Sequence, residues 1–483
     1  GLICLLAFFS ANVYGFESEG FLFDVISEED LTVELSFVNY SDNLERVDIP
    51  ATISHEGKTY NVTVIDSTAF QNCRYSTSVI SIPETVTHIR FGSLIGNSPF
   101  DNCDVLTEIS VAENNPQYSS FDGALYDKGQ TTLLRCPKAK SSVSFPETIT
   151  TIDSHAFAQC KEFTTMNIPK TVTTIGSSAF YNCTELTSIN IPNSVTKIGS
   201  YAFQFCEAIT AITIPESIKQ HIPSLLRISI HKPANTITEI KANAFQYCRA
   251  LASISIPNSV ISIGDYAFSD CSALTSIRIP ESVTTIGAGI VTGCTNLTEI
   301  QVEAGNPAYS AVDNILYDKE QTTLIQCLPS KTSVSLPATV TVIGSSAFNN
   351  CTGLTSITLP QSLTTIGDRA FWNCTSLTSI DIPRSVSAIG ESAFFNSGLT
   401  SISIPEAVTN IGNSTFSNCG YLASVTLHDG ITHIGEQAFA FCSQLNAIEL
   451  PQNLASIGKS AFANIGLTTV IIPDKVTDIG ENC

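Results

Sequence analysis

Cysteine is the residue type whose spacing most suggests chemistry in this 483-residue chain. Thiols can bind metal ions, act as nucleophiles or form disulfides. Zinc sites need cysteine or histidine at short spacings such as CxxC, and the sequence has no such cluster. Instead, twelve of the sixteen cysteines recur at one position of a repeated segment: Cys73, Cys103, Cys160, Cys183, Cys206, Cys248, Cys271, Cys294, Cys351, Cys374, Cys419 and Cys442.

These thiols are predicted to be either small packing residues or partners in disulfides between neighbouring repeats. Ser397 and Ile465 replace the cysteine in two repeats, which favours packing over obligate pairing. If packing alone matters, Cys183→Ala should cost about 1 kcal/mol. Cys183→Ser should cost more, because a buried hydroxyl would have no partner. Cys136 and Cys327 stand outside the common position and are the first candidates for pairing.

Catalytic chemistry is not predicted. The seven histidines lie at unrelated, mostly polar positions of the repeat, and none recurs beside a serine or cysteine nucleophile. The sequence contains no GxSxG, HExxH or phosphate-binding loop. We therefore expect no enzyme, no catalytic residue, no cofactor site and no metal site.

The composition limits the partners. Lys and Arg number 23 against 44 Asp and Glu, for a net charge of -21. Such a surface repels phosphate backbones and anionic lipids, so nucleic acid and membrane surfaces are not expected partners. After the first 15 residues the sequence contains no run of 18 or more apolar residues, the length that a membrane-spanning helix needs.

A repeat of about 23 residues must position the cysteines, because prolines recur at 146, 169, 192 and 215 and at similar steps further on. Ile189 and Ile191 alternate with small polar residues, which predicts a strand with one buried face that ends at Pro192. Gly199 is predicted to permit the turn that follows. Phenylalanine fills one position thirteen times, as at Phe180, which predicts a core spine.

The segment around that phenylalanine is predicted to be a single helical turn. Ser177 or Ser178 would cap it, Ala179 and Phe180 would lie on it, and Asn182 would close it in a left-handed conformation.

The repeat, approximately LxxIxIPxxVxxIGxxAFxxC, resembles the BspA-like leucine-rich repeat family over about residues 50–483. The resemblance implies a repeat solenoid of the α/β leucine-rich-repeat type, a right-handed coil stack with a concave parallel β-sheet and short helical turns. It also implies a secreted or cell-surface protein associated with adhesion and protein binding, without a catalytic motif. One departure is the segment GAGIVTGC, where Ile290 and Val291 replace Ala-Phe.

The predicted organisation has three parts. Residues 1–15 resemble a truncated signal peptide, 16–49 a β-hairpin cap, and 50–483 the solenoid. Two segments of equal length and similar sequence, 111–146 and 302–337, are predicted to be hairpin insertions, and 219–237 an irregular one. The chain stops in mid-repeat, so we expect its C-terminus to be truncated.

The hairpins and the outward strand positions supply the candidate binding residues. Tyrosine is favoured at protein interfaces, so the hairpin tyrosines could anchor a partner, or they could fix the hairpins to the solenoid. The candidates are Tyr118, Tyr126, Tyr309, Tyr317, Arg278 and Asp381. Candidate glycosylation sites are Asn39, Asn61 and Asn413, each in an NxS or NxT sequon.

The leading functional hypothesis is a secreted or cell-surface adhesion module that binds extracellular or surface proteins. The alternatives are a passive structural spacer and the non-catalytic part of a larger protein. The outward strand positions are mainly serine and threonine, which favours weak, extended contact over one tight pocket.

Overall fold

The computed structural model describes residues 15–18, 20–38, 44–92, 98–215, 236–467 and 469–483. Most of the predicted signal peptide, most of the 219–237 insertion and Asn39 lie outside these residues. The chain forms two compact units, Gly1–Leu186 and Thr187–Cys483.

Fifteen strands are described in the first unit: β1 Gly15–Ser18, β2 Phe21–Ser27, β3 Thr32–Val38, β4 Arg46–Asp48, β5 Thr52–His55, β6 Lys58–Ile65, β7 Val79–Ile82, β8 His88–Ile89, β9 Glu108–Val111, β10 Tyr118–Phe121, β11 Ala124–Asp127, β12 Thr132–Arg135, β13 Thr151–Ile152, β14 Thr165–Asn167 and β15 Thr174–Ile175.

Twenty-three strands are described in the second unit. They are β16 Ser188–Asn190, β17 Lys197–Ile198, β18 Ala211–Thr213, β19 Glu239–Ile240, β20 Ser253–Ser255, β21 Ser262–Ile263, β22 Ser276–Ile279, β23 Thr285–Ile286, β24 Glu299–Val302, β25 Tyr309–Val312, β26 Ile315–Asp318, β27 Thr323–Gln326, β28 Ser333–Ser335, β29 Val342–Ile343, β30 Ser356–Thr358, β31 Thr365–Ile366, β32 Ala388–Ile389, β33 Ser401–Ser403, β34 Asn410–Ile411, β35 Ser424–Thr426, β36 His433–Ile434, β37 Ser456–Ile457 and β38 Asp478–Ile479.

The first unit begins with an antiparallel sheet. Strands β1, β2 and β3 pair antiparallel, β3 pairs parallel with β6, and β5 and β6 form a further hairpin. Strands β4, β7 and β9 form a parallel ladder. Strands β10, β11 and β12 are antiparallel, and β12 then pairs in parallel with β13, which pairs with β15. The hairpin is therefore joined to the coils by a continuous ladder.

The second unit is a β-solenoid with two series of parallel strands. The longer strands pair as β18–β20, β22–β24, β28–β30 and β33–β35, and the two-residue strands as β19–β21–β23, β29–β31–β32 and β34–β36–β37–β38. Strands β25, β26 and β27 repeat the antiparallel arrangement of the first hairpin, and β27 again pairs in parallel with the next coil at β29. Each residue of a paired coil therefore lies beside its counterpart in the next.

The predicted strand faces are confirmed in β16. Ser188 and Asn190 are exposed, whereas Ile189 and Ile191 are buried. The phenylalanine spine is confirmed as well. Phe371 stacks between two other buried phenylalanines, with ring centroids 5.0 Å and 5.2 Å away and planes within 7° of parallel.

The predicted helical turn is wrong, because the described residues contain no helix. Asn182 is left-handed as predicted (φ 57°), but Ser178, four residues earlier, is left-handed too (φ 54°). A right-handed helix cannot pass through such residues, so the segment forms successive turns. The departure GAGIVTGC is explained by the same geometry, since Gly289 and Gly293 occupy the two left-handed positions (φ 63° and 74°).

Glycine is required at this position of the repeat for a reason other than the predicted turn. A Cβ on Gly176 would lie 2.5 Å from the backbone nitrogen of Ser154 in the preceding coil. Gly367 has the same relation to Ser345, at 2.7 Å. Neither glycine has a positive φ, so close approach between coils requires the glycine.

None of the fifteen described cysteines is joined in a disulfide, and fourteen of them are buried. In the regular coils the thiol donates a hydrogen bond to the phenylalanine carbonyl of the preceding coil. Cys183 Sγ lies 3.1 Å from Phe157 O, and Cys294 Sγ 3.1 Å from Phe268 O. Burial raises the pKa of Cys294 to about 12, so this thiol keeps its proton at neutral pH.

Cys136 and Cys327 depart from this pattern, because their thiols approach the carbonyl of the next residue. Cys136 Sγ lies 3.7 Å from Pro137 O, and the Cys160 thiol of the following coil lies 3.8 Å from the same oxygen. Cys327 and Cys351 share Leu328 O in the same way, at 3.6 Å and 3.7 Å.

The thiol hydrogen bond changes the expected effect of substituting Cys183. Cys183→Ala should still cost about 1 kcal/mol through a small cavity. Cys183→Ser should now cost no more than that, because its hydroxyl can donate to Phe157 O. Cys183→Val fills the space without a donor and serves as the control. Urea denaturation would give the order, and a serine variant clearly less stable than both others would contradict the hydrogen-bond account.

Candidate binding surface

Rows of exposed hydroxyl side chains follow the longer strands of the second unit. Because these strands pair in register, Ser333 lies beside Ser356 and Ser335 beside Thr358. The same arrangement occurs between β33 and β35, where serines of one strand face Ser424 and Thr426 of the other. Adjacent strands lie about 4.8 Å apart, so the hydroxyl groups form closely spaced rows. These side chains can donate and accept hydrogen bonds.

The rows are interrupted in two ways. Between β22 and β24, Arg278 lies beside Gln301 and pairs with Glu303, at 3.1 Å. Asp381 is exposed, but residues 379–381 form no strand in the structure, nor do residues 447–449. The hydroxyl face is therefore a set of short ladders.

The corresponding face of the first unit carries charge. Arg46 in β4 binds Asp48 on its own strand (2.7 Å) and Ser81 on β7 (2.6 Å). Ser110 on β9 donates to Ser81 (3.0 Å). This ladder is cross-linked by its own side chains, so fewer polar groups remain for a partner.

The four hairpin tyrosines have structural contacts. Tyr126 and Tyr317 are buried, at 0% and 2% exposure, and burial raises the pKa of Tyr317 to about 12. Tyr118 Oη accepts the backbone N–H of Ile89 (3.0 Å). Tyr309 Oη accepts that of Ile286 (2.8 Å). These contacts favour the alternative interpretation, in which the tyrosines fix the hairpins to the coils.

One asparagine in each hairpin makes contacts that the sequence did not reveal. Asn306 donates to the carbonyl oxygens of Pro280 (2.7 Å) and Val283 (2.9 Å) and accepts the N–H groups of Ala308 and Tyr309. Asn115 makes the same four contacts in the first hairpin. The shared Asn-Pro dipeptide was the available signal, but it predicts only a turn.

A buried charge cluster supports the first hairpin. Arg135 Nη2 lies 2.8 Å from Asp101 Oδ1, and both side chains are buried. Lys138 lies beside it and pairs with Asp104 at 3.1 Å, and burial lowers the pKa of Lys138. Because these charged groups pair with one another, the cluster stabilises the fold.

The remaining candidate sites are placed as follows. Asn61 is exposed in β6, and Asn413 is exposed and donates to Glu391 Oε1 at 3.0 Å. Among the described residues no three His, Cys, Asp or Glu side chains are grouped so that they could hold a metal ion. Within the same residues no helix has the length and apolar character to cross a membrane.

Comparison with solved structures finds leucine-rich repeat proteins of similar length. A leucine rich cell surface protein from Faecalibacterium prausnitzii is 26% identical, with 99% of this chain and 96% of that chain covered and a TM-score of 0.47. A leucine-rich repeat protein from Bacteroides ovatus is 25% identical, covering 96% and 99%, with a TM-score of 0.42. One from Eubacterium ventriosum is 20% identical, covering 97% and 98%, with a TM-score of 0.49. No curated protein matches the chain.

The model of the BspA type leucine rich repeat region matches the chain in several segments. They are residues 36–121, 130–227, 224–308, 321–422 and 364–483, which together cover most of its length. The family pattern also fits the observed coils, since its isoleucine, phenylalanine and cysteine positions are the buried ones. The chain therefore belongs to the BspA-type leucine-rich repeat family.

Proposed function

We propose that this chain is a secreted or cell-surface adhesion module that binds extracellular or surface proteins through the hydroxyl rows of its second unit. The observation that carries the proposal is the exposure of these rows in register, as between β28 and β30. Membership of the BspA-type family supports it, because the family is associated with surface proteins that bind other proteins.

The chemistry of the rows suits an extended contact. Strong protein interfaces depend on aromatic and arginine anchors, and these rows consist mainly of serine and threonine. Each hydroxyl contributes a modest hydrogen bond, so affinity would come from many contacts along several coils. Arg278 is 68% exposed and Asp381 is also exposed, so these two charges could orient a partner.

The second candidate function is a passive spacer, in this chain or as the non-catalytic part of a larger protein. None of the paired, exposed positions of β28, β30, β33 and β35 carries an aromatic side chain that could anchor a partner. This favours the spacer. A spacer needs solubility and a regular core, and both are compatible with this composition.

The test is binding of the purified chain to a panel of extracellular matrix and cell-surface proteins by biolayer interferometry. We expect at least one partner with a Kd near 1 μM, and a loss of about tenfold in affinity for the Ser356→Arg/Ser401→Arg variant, equal to about 1.4 kcal/mol. Both positions are exposed, so the fold should tolerate arginine. Gln452→Arg, exposed and outside the strands, is the control.

Two results would overturn the proposal. One is an equal loss of affinity for the strand variant and for Gln452→Arg. The other is the absence of binding across the panel, which would favour the spacer.

A further inference from the structure

A surface notch in the second unit has a composition unlike its surroundings. It has a volume of about 380 Å³ and is lined by Thr375, Asn396, Asn418, Tyr421, Ser443 and Gln444. That volume falls within the range of about 300–1,000 Å³ found for small-molecule sites.

A shortened coil explains why the notch exists. The prolines at 383 and 405 are 22 residues apart, one fewer than in the regular coils, and the missing residue falls at Ser397-Gly398. Gly398 donates its N–H to Cys374 O (3.1 Å), and a Cβ there would lie 2.2 Å from Thr375 O. The shortened loop therefore packs against the preceding coil, while the loop with Tyr421 in the next coil keeps its full length.

The lining of the notch is free of charge. The chain has a net charge of -21, and two other concavities of the second unit contain ionised side chains. One is lined in part by Arg278 and Glu303, and the other by Asp265, Asp368, Arg369 and Glu391. A lining of hydroxyl and amide groups offers no opposite charge to a phosphate, a carboxylate or a metal cation, so it favours a neutral polar ligand.

Asn396 and Ser443 of the notch already donate hydrogen bonds within the protein, to Asn373 and to Gly420 O. Other polar groups of the notch are available. Tyr421 is 70% exposed, and within the described residues its ring contacts no other aromatic ring. Asparagines of successive coils form a ladder of side-chain hydrogen bonds, and the ladder ends before Asn418. Asn373 donates to Asn350 (2.6 Å) and Asn396 to Asn373 (2.7 Å), but the Asn418 side chain makes no hydrogen bond in the described part of the chain. The same is true of the exposed Gln444.

We propose that this notch binds a neutral saccharide. A pyranose ring has apolar C–H faces that can lie against the flat Tyr421 ring, and its hydroxyl groups can both donate and accept. The amides of Asn418 and Gln444 offer both kinds of partner. The notch is shallow and solvent-facing, so each saccharide binds weakly and the site suits a repeated glycan on a surface. It is separate from the hydroxyl rows and does not depend on their function.

The experiment is titration of the chain with maltotriose, cellotriose and N-acetylchitotriose, followed by saturation-transfer NMR and calorimetry, with 3′-sialyllactose as an anionic comparison. We expect at least one neutral trisaccharide to bind with a Kd of about 1 mM or tighter. Tyr421→Ala should weaken binding at least fivefold, and Gln444→Ala should weaken it less. Tyr75→Ala, which removes a similarly exposed tyrosine (79%) from the first unit, should leave it unchanged.

Several outcomes would overturn the proposal. One is that no neutral trisaccharide binds at a saccharide concentration about ten times the expected Kd. Another is that the two tyrosine variants weaken binding equally. A third is that the anionic sugar binds more tightly than the neutral ones. Because Tyr421 and Gln444 are exposed and outside the core, circular dichroism should show that the variants remain folded, so that loss of binding reports on the notch.

Discussion

Replacing Arg135 with glutamine should destabilise the first unit by about 3–5 kcal/mol, the usual cost of breaking a buried ion pair from one side. Arg135 is 1% exposed and Asp101 is 6% exposed, so water cannot take the place of the lost guanidinium. Arg135 also donates from Nη1 to His155 O (2.7 Å), a contact that joins the hairpin to the following coil. The variant leaves the Asp101 carboxylate buried without the guanidinium charge that faces it.

The second hairpin supplies the matched control. Its residue at the position of Arg135 is Gln326, and its residue at the position of Asp101 is Thr292, and both are buried. The same local fold therefore exists with neutral residues at both positions. Exchanging both residues, as Asp101→Thr/Arg135→Gln, should bring stability back to within about 1 kcal/mol of the original chain, because the buried guanidinium and the carboxylate that faces it are removed together. The difference from the sum of the single variants is the coupling energy.

Hydrogen exchange of peptides from residues 98–160 is the suitable measurement, because repeat proteins often unfold locally and a single midpoint can hide the effect. Asp101→Thr and Arg135→Gln should each increase exchange in this segment, and the double variant should largely restore protection. If the double variant is as unstable as either single one, the ion pair is not the source of the loss.

The period of the sequence predicted much of this fold, because each buried position repeats. Ile189, Phe180 and Cys183 were placed in the core by a pattern that recurs coil after coil, and all three are buried. The helical turn was predicted wrongly because its left-handed position carries residues without a strong preference for that conformation. Ser178 is one example, and Tyr201 and Arg369 are others.

The parts that the sequence did not reveal depend on contacts between distant residues. Arg135 and Asp101 are neighbours only because the hairpin lies on the preceding coil. The contacts of Asn306 with Pro280 and Val283 have the same origin. The shortened coil was visible as a 22-residue step, but that spacing says nothing about the notch it creates beside Tyr421.

Substituting the repeat glycine should have the second large effect. Gly390→Ala is expected to destabilise the second unit by about 3 kcal/mol, the upper range for overpacking a well-packed site. Its Cβ would lie 2.4 Å from the backbone nitrogen of Asp368 and 2.6 Å from the carbonyl carbon of Gly367. Backbone atoms cannot move aside as the end of a flexible side chain can, so the two coils must separate. That movement would strain the hydrogen bond from Gly390 N to Ile366 O (2.8 Å).

Gly353 is the matched control, because a Cβ at this position would meet no atom within 4 Å. Gly353→Ala should leave stability within about 0.5 kcal/mol of the original chain, as for a surface substitution. Trp372, the single tryptophan, stacks on Phe395 at 4.0 Å in the coil of Gly390, so its fluorescence during urea denaturation reports on this region. If Gly390 served only to permit a turn, alanine would be tolerated there, since no positive φ requires glycine. Equal midpoints for Gly390→Ala and Gly353→Ala would therefore contradict the explanation by coil spacing.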